Sequence, residues 1–407
     1  MPTVPRAVAI ICEYNPFHRG HAHQLEAARR DSSAEVVLCV MSEQLTQRGE
    51  LAIADAYTRA EAAVRCGADV VVSLPFPYSG AAAEHFAAAG VHIATALCAS
   101  HLHFGSECGD LSRLQQTAAL LSTPDFVARL TALQREQPEL GVMQAREQLL
   151  QRTLGKTAYP DGANDLLALA YLSAIQTQHS PLIPLTTPRV GQDYRDDAPG
   201  ATTFASASAL RRLWRTTGAL NPLSDQLPPA SMEALCRAVE EQRAPVDAER
   251  LASAVQAALR LFDPVRLAAC AELGGGLAER LLTAAAKESY AELNDLFAAV
   301  ATKRFTNARI ARAVWFGLCG VHSDDLRTPP AYTRLLGCSE KGRAYLAAIR
   351  RSATIPVLTK PADIPPTPAA QRQAALEQAL SGLYTLALPQ PRSAGFFLRA
   401  RPYLGES

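Results

Sequence analysis

The chain has 407 residues, of which 48% are hydrophobic and 19% are charged, and its formal net charge at pH 7 is +1. This balance is typical of a globular protein with two domains, and it excludes a global basic field, so that any nucleic-acid binding must depend on a local patch. The nine cysteines follow no paired spacing. No apolar run reaches the length of a membrane span, and the first one is too short for a signal peptide. We therefore expect a cytoplasmic protein with free thiols.

The chain begins with a strand, a tight polar loop and a helix. Residues 7–11 form a short apolar run typical of a buried parallel strand, CEYNPFHRGH follows at 12–21, and residues 22–30 have a helical pattern. His18 and His21 lie three residues apart, so they share a face of the opening helical turn. A helix N-terminus favours a bound anion, because its first N–H groups lack partners. Histidines there can donate to phosphate oxygens while an α-phosphate is attacked and pyrophosphate leaves.

The spacing HxGH directly after a first strand resembles the signature of the nucleotidylyltransferase superfamily, and it makes His18 and His21 the candidate catalytic pair. In one alternative these histidines are ordinary surface or capping residues. In another they form a metal site with His23, although no Cys or Asp completes a recognisable ligand spacing. Cys12 has no base beside it in the sequence and is expected to be structural.

The first half of the chain alternates strands and helices. Strands are predicted at 35–41, 69–75, 101–106 and 182–186, and helices at 53–66, with a cap at Asp55, and at 79–97. This alternation predicts an α/β fold with a doubly wound parallel sheet, of Rossmann-like type, whose ligands lie at the carboxyl ends of the strands. No GxGxxG motif follows the first strand, so a dinucleotide-dependent redox enzyme is not supported.

Polar residues at these strand ends are further candidates, most of them with a structural alternative. Arg48 can bind an acid substrate or an RNA phosphate, or it is a solvated loop arginine. Gly105 suits either the close approach of a substrate or a plain strand-to-helix turn. Asn164 opens a helix, as a ligand contact or only as its cap. Arg189, after the fifth strand, can pair with a nucleotide phosphate.

Residues 206–211, SASALR, open a helix with two hydroxyl groups and an arginine. In nucleotidylyltransferases a second phosphate-binding element has this form, which makes Ser206, Ser208 and Arg211 candidate phosphate or acyl contacts. Alternatively, one of the two serines is merely the N-cap of the helix.

A proline-rich break at residues 221–230 separates two parts of the chain. Helical patterns follow it at 231–242, 247–262, 264–271, 276–287, 289–300, 307–319, 340–351 and 368–385. We therefore predict a catalytic ATP-binding domain at 1–225 and a helical domain at 226–407. A basic run in the helical part can contact an RNA backbone, or it is a solvated helix face. Its cations are Lys303, Arg304, Arg309 and Arg312.

The chain resembles the tRNA(Met) cytidine acetate ligases, bacterial members of the nucleotidylyltransferase superfamily. The resemblance depends on residues 13–21, 41–42, 47–50, 67–69, 74–75, 104–107, 164–165 and 206–211, and in the second part on 334–337, 340–342 and 359–361. Arg19 departs from the family pattern, which more often has Asn there, and the C-terminal tail matches less clearly.

The resemblance implies a reaction in two steps. Members of the family activate acetate with ATP to give acetyl-adenylate and pyrophosphate, and then transfer the acetyl group to N4 of the wobble cytidine of elongator tRNA(Met). ATP, acetate and elongator tRNA(Met) are therefore the expected substrates, and Mg²⁺ is expected with the triphosphate. The implied nucleotide contacts are Ile11, Cys12, Glu13, Tyr14, Asn15, Pro16, Phe17, His18, Arg19, Gly20, His21, Ala22, His23, Gln24, Gly105, Asn164, Arg189 and Val190. The helical domain becomes the candidate tRNA-binding surface through its basic run.

Two other classes of function remain open on the sequence. A small-molecule adenylyl- or cytidylyltransferase of cofactor synthesis would use the same phosphate site, but it would not need the large helical part. A non-catalytic nucleotide- or RNA-binding protein on the same scaffold would not need the intact histidine pair.

Overall fold

Eight strands of the described residues form one sheet at the centre of the molecule. The computed structural model describes residues 4–137, 140–155, 162–188 and 204–405. The strands are β1 (Ala7–Cys12), β2 (Val36–Ser42), β3 (Val70–Leu74), β4 (His101–Ser106), β5 (Ile183–Pro188), β6 (Thr333–Cys338), β7 (Val357–Leu358) and β8 (Tyr403–Leu404). Their order is β5-β4-β1-β2-β3-β6-β7, and β8 also pairs with β6.

The first five strands are mutually parallel, which confirms the predicted α/β class. Every residue of β1, β2 and β3 is buried, as expected for near-continuous apolar strands that are covered on both faces. Strand order reverses at β1, because β2 and β3 lie on one side of it and β4 and β5 lie on the other. Ligands of doubly wound sheets bind beside such a reversal.

Helices pack against the sheet on both of its faces. They are α1 (Arg19–Ser32), α2 (Ala56–Arg65), α3 (Ala83–Ala96), α4 (Leu111–Leu121), α5 (Pro124–Glu136), α6 (Val142–Leu154), α7 (Ala163–Thr177), α8 (Ala207–Thr217), α9 (Pro229–Glu240), α10 (Ala252–Leu261), α11 (Pro264–Ala268), α12 (Leu277–Lys287), α13 (Leu293–Val300), α14 (Asn307–Cys319), α15 (Ser323–Arg327), α16 (Glu340–Ile349) and α17 (Pro368–Leu386). Among the described residues, no helix has the length and apolar character that a membrane span requires.

Local signals placed most of these helices correctly. The Asp55 carboxylate accepts hydrogen bonds from the backbone N–H groups of Tyr57 and Thr58, which confirms the predicted cap of α2. The helical patterns predicted between residues 231 and 385 correspond to helices α9–α14, α16 and α17. The three helices between residues 111 and 154 were not predicted.

The second half of the chain does not form a separate body of helices alone. Helices α10–α14 and α17 share an apolar core around Trp315 and Phe316, and this core includes Leu45 and Phe76 from the first half. Strand β6 then returns to the sheet and pairs antiparallel with β3. The sheet therefore contains residues from both sides of the predicted division at 225/226, because strand pairing joins segments that are far apart in the sequence.

Candidate active site

A cavity of about 250 Å³ opens at the carboxyl edge of the sheet, beside the reversal of strand order. The loop after β1 and the first turns of α1 form one wall, and the ends of β4 and β5 with the start of α7 form another. Most of the predicted nucleotide contacts line it, namely Ile11, Cys12, Glu13, Tyr14, Asn15, His18, Gly20, His21, His23, Gln24, Gly105 and Asn164. The structure thus brings together residues that lie more than 150 positions apart in the chain.

Other residues of the predicted set lie elsewhere. Pro16, Phe17, Arg19 and Ala22 do not line the cavity. Phe17 is buried in the core, and its carbonyl accepts a hydrogen bond from Ser231. Arg19 is exposed. Arg189 and Val190 lie outside the described residues.

The two histidines of the HxGH motif stack at the start of α1. Their ring centroids lie 3.7 Å apart, with an interplanar angle of 25°. His18 is the N-cap residue, and its Nδ1 accepts from the N–H of Gly20 at 3.1 Å, whereas Nδ1 of His21 accepts from the N–H of His18 at 3.3 Å. Because both Nδ1 atoms act as acceptors, each neutral ring carries its proton on Nε2. The capping alternative and the catalytic interpretation of His18 are therefore compatible.

Gly20 allows this arrangement. A Cβ atom at Gly20 would lie 2.9 Å from Cε1 of His18, inside the normal contact distance. The glycine therefore lets the His18 ring fold over the beginning of the helix.

The loop after β1 places Glu13 and Asn15 in the cavity wall. Oε1 of Glu13 accepts from the N–H of Gln47 at 2.8 Å, and burial raises the pKa of this carboxyl above its ordinary value. Oδ1 of Asn15 accepts from the N–H of Ile53 at 2.8 Å. Nδ2 of Asn15 is buried and has no hydrogen-bond acceptor within the described part of the chain.

Arg59 holds this loop in place, a role that the sequence analysis did not predict. The side chain projects from α2, is 1% exposed and donates to the carbonyl groups of Glu13, Ser42, Glu43 and Ala54. It therefore ties the loop after β1 to the loop after β2. An arginine on the apolar side of the Ala-rich helix α2 is the one signal in the sequence that could have indicated this role.

The loop after β4 and the start of α7 are joined by reciprocal hydrogen bonds. Oε1 of Glu107 accepts from Nδ2 of Asn164 at 2.5 Å, and the backbone N–H groups of Glu107 and Cys108 donate to the carboxylate of Asp165. Burial opposes ionisation of Glu107, but the hydrogen bonds from Asn164 and Asp165 outweigh it and lower its pKa. Gly162 is the N-cap of α7, so Asn164 is not the cap and its side chain belongs to the cavity wall.

The SASALR segment supports the site from behind. Arg211 donates to the carbonyl of Asn15 at 2.8 Å and forms an ion pair with Glu50 at 2.6 Å. Ser208 accepts from the same guanidinium, and Ser206 caps α8 through the N–H of Ala209, as its structural alternative held. These three residues and Arg48 do not line the cavity. Their assignment as phosphate or acyl contacts stays a prediction.

The basic run divides into exposed and paired members. Lys303 and Arg304 are exposed. Arg309 and Arg312 both form ion pairs with Glu272, at 3.8 and 3.0 Å, and Arg312 is 8% exposed and also donates to the carbonyl of Gln47. Arg312 thus joins α14 to the loop after β2. Contact of the run with tRNA stays a prediction.

No set of three or more His, Cys, Asp or Glu side chains within the described ranges is placed to hold a metal ion. The alternative of a metal site at His18, His21 and His23 therefore has no ligand set in that part of the chain. The Mg²⁺ expected with ATP has no cage of protein side chains there either.

Comparisons with known proteins identify relatives over nearly the whole chain. The family model described as HIGH Nucleotidyl Transferase matches residues 6–395. The chain is 38% identical to the tRNA(Met) cytidine acetate ligase of Syntrophotalea carbinolica, over 87% of this chain and 84% of that protein. It is 31% identical to the tRNA(Met) cytidine acetate ligase of Acetivibrio thermocellus, over 96% and 97% of the two chains.

Two crystal structures of Thermotoga maritima TmcAL have the same fold. The apo form has a TM-score of 0.89 and the form bound with alpha-thio ATP has a TM-score of 0.87, both at 28% sequence identity. Each match covers 98% of this chain and 99% of the other.

Proposed function

The chain belongs to the tRNA(Met) cytidine acetate ligase family of HIGH nucleotidyl transferases, and from that premise we propose how its residues carry out the reaction. The protein is an ATP-dependent ligase. It activates acetate as acetyl-adenylate with release of pyrophosphate, and it transfers the acetyl group to N4 of the wobble cytidine of elongator tRNA(Met). The product in the tRNA is N4-acetylcytidine.

The stacked imidazoles of His18 and His21 at the N-terminus of α1 carry this proposal. In the first step an acetate oxygen attacks the α-phosphorus of ATP, and the bond to the β-phosphate oxygen breaks. Negative charge then grows on the phosphoryl oxygens and on the leaving pyrophosphate. The Nε2–H groups of both rings and the N–H groups of the first turn of α1 supply preorganised donors for that charge.

The opposite wall of the cavity suits the nucleoside. Gly105 lets a flat ring approach the end of β4 closely, and the neighbouring Phe104, Leu167 and Tyr171 make this wall largely apolar. Asn164, held by Glu107, supplies a polar group at its edge. We assign Gly105 and Asn164 to adenosine and the α1 side to the triphosphate.

The helical part is proposed to hold the tRNA, with Lys303 and Arg304 as its exposed cations. Bases of an anticodon loop are single-stranded and can be splayed out into an active site at modest cost. Because ATP and tRNA are both cytoplasmic substrates, we propose that the enzyme works in the cytoplasm.

Exchange of labelled pyrophosphate into ATP tests the first step. We expect exchange that requires acetate and proceeds without tRNA, followed by N4-acetylcytidine in nucleosides of elongator tRNA(Met) when tRNA is added. Exchange with a nucleoside monophosphate or a phosphorylated small molecule, and none with acetate, would instead support a small-molecule nucleotidylyltransferase. Bound ATP without any exchange, with or without tRNA, would support a nucleotide-binding protein.

A further inference from the structure

One carboxylate faces the cavity. Among the described residues that line it, Glu13 is the only Asp or Glu. Gln47 donates to its Oε1, and no other described side chain or backbone group donates to this carboxylate, so Oε2 is available to a ligand. The neighbouring acids are engaged elsewhere, because Glu50 pairs with Arg211 and Glu107 binds Asn164.

The backbone around this carboxylate is held on both sides. The carbonyl of Glu13 accepts from Arg59, and the carbonyl of Asn15 accepts from Arg211. Tyr14, between them, is 1% exposed and packs against Phe17 and His21. A group anchored in this way keeps its position through a reaction cycle. Proton transfer requires this, because the base must stay within reach of the atom that loses the proton.

The two steps of the proposed reaction place different demands on this cavity. Acetate attacks ATP as an anion, so the first step has no proton to remove. N4 of cytosine attacks the acetyl carbon as a neutral amine whose lone pair is delocalised into the ring, and it must lose a proton. The second step therefore needs a base within reach of the acetyl group.

The histidines are poorly suited to that task. Nδ1 of His18 and Nδ1 of His21 already accept backbone hydrogen bonds, and Nε2 of each ring then carries the proton. His23 also lines the cavity, but it is exposed at the rim, with its ring 5.9 Å from that of Phe204. The Glu13 carboxylate is then the remaining group at the end of β1 that can accept the proton.

We propose that Glu13 is the general base of acetyl transfer and that its Oε2 takes the proton from N4 of the target cytidine. The inference rests on the proposed function. As the N4–C bond forms, the proton moves from N4 to Oε2, the bond between the acetyl carbon and the phosphate oxygen breaks, and AMP leaves with the bonding electron pair. Water takes the proton from Glu13 after the product leaves.

The surroundings of Glu13 raise the basicity of its carboxylate. Burial raises the pKa of its carboxyl, the backbone N–H of Gln47 and the charges of Arg211 and Arg48 oppose that shift, and Glu50 adds to it. The charged and titratable groups that interact with it or line the same cavity include Cys12, Tyr14, His18, His21, His23, Arg48, Glu50, Arg59, Tyr171 and Arg211. A raised pKa brings a carboxylate closer to the optimum for proton abstraction at physiological pH.

The test compares the two half-reactions in Glu13→Gln of the full-length protein. Acetate-dependent pyrophosphate exchange reports the first, and single-turnover acetylation of unmodified elongator tRNA(Met) reports the second. Gln keeps an oxygen for the N–H of Gln47 but cannot take a proton. We expect the ratio of transfer to exchange to fall about 100-fold or more, with acetyl-adenylate accumulating on the enzyme in the presence of tRNA. Glu26→Gln, on the exposed face of α1, is the matched control and should leave the ratio unchanged.

Three results would overturn the assignment. These are an unchanged ratio in Glu13→Gln, an equal fall of both half-reactions, and loss of transfer in His23→Gln while Glu13→Gln retains it.

If Glu13→Gln does not fold, as judged by circular dichroism, the pH profile of acetyl transfer by the wild type decides. Because the base must be ionised, transfer should rise with pH and level off above the pKa of Glu13, and a profile without this rise also contradicts the proposal. A wild type without acetate-dependent exchange would contradict the proposed function itself.

Discussion

Two polar loops follow neighbouring strands of the sheet and have different roles. The site loop, residues 13–18, follows β1, and four of its six residues line the cavity. The joint loop, residues 43–50, follows β2, and five of its eight residues are buried. In the sequence both are short polar segments at the carboxyl end of a buried strand, and both contained candidate ligand contacts.

The polar groups of the joint loop form contacts within the fold. Glu43 forms an ion pair with Arg334 of β6, and the carbonyl of Gly49 accepts from Nε1 of Trp315 at 2.9 Å. Leu45 inserts into the core of the helical region. The loop therefore fastens the helices to the sheet.

The difference follows from the position of each strand in the sheet. β1 lies at the reversal of strand order, where the connections on its two sides run to opposite faces and leave a crevice. β2 lies between β1 and β3, and the space above its end is filled by α14 and α17. A polar loop at the end of a strand thus indicates a site only where the topology leaves it open.

The largest expected effect is on the stability of the joint. Arg334→Met should lower the free energy of unfolding by about 3–5 kcal/mol, because it leaves Glu43 and Glu377 buried without their cation. Urea denaturation measures the loss. Arg327→Met is the matched control, since that arginine is 74% exposed and its surface ion pair should contribute less than about 1 kcal/mol. Equal losses in the two variants would show that the buried cluster is not what holds the joint.

The next effect concerns the site loop and should leave stability nearly unchanged. His18→Asn retains a capping side chain but removes the imidazole donor, so acetate-dependent pyrophosphate exchange should fall by about 10²–10³-fold. His85→Asn, on α3 away from this cavity, should keep the wild-type rate. If His18→Asn retained full exchange, the imidazole at this position would be only a cap.

Gly49→Ala separates a backbone constraint from a packing constraint in the joint loop. Gly49 has φ +79°, and an added Cβ would lie 2.6 Å from the backbone nitrogen of Arg312. Gly218→Ala is the control, because its φ is +66° but nothing lies within 4 Å. We expect Gly49→Ala to cost about 1–3 kcal/mol more than the control in urea denaturation. Equal costs would mean that α14 moves away from the loop without penalty.

The smallest expected effect is a pH dependence of the joint. Burial, together with the charge of Glu43, raises the pKa of Glu377 to about 7 despite the opposing charge of Arg334. The folded state therefore holds this proton more tightly than the unfolded chain does. Its contribution to the free energy of unfolding is complete below about pH 4.5 and is lost as pH rises to about 7. Glu377→Gln should flatten this part of the stability profile, and an unchanged profile would assign the dependence to other groups.

Elements whose causes are local were predicted correctly from the sequence. The apolar run at 7–11, the Asp55 cap, the HxGH turn and the helical periodicity after residue 230 each depend on neighbours a few positions away, and their outcomes are confirmed by the structure. The alternation of strands and helices was also enough to place Gly105 and the loop after β1 at the ends of strands. These features were enough to place a cavity at the carboxyl edge of the sheet.

Which polar residues belong to that cavity depends on the packing of distant segments of the chain. The pairing of β6 with β3, the contacts of Arg59 with the carbonyl groups of Glu13, Ser42 and Glu43, and the ion pairs of Arg211, Arg312 and Arg334 join residues 16 to 291 positions apart. No local pattern records such partners, since an arginine in a helix or loop has the same propensity whether it meets solvent, a carboxylate or a ligand. Burial and pairing are properties of the packed molecule, and they separate the loop that remains open to a nucleotide from the loop that joins the two halves of the chain.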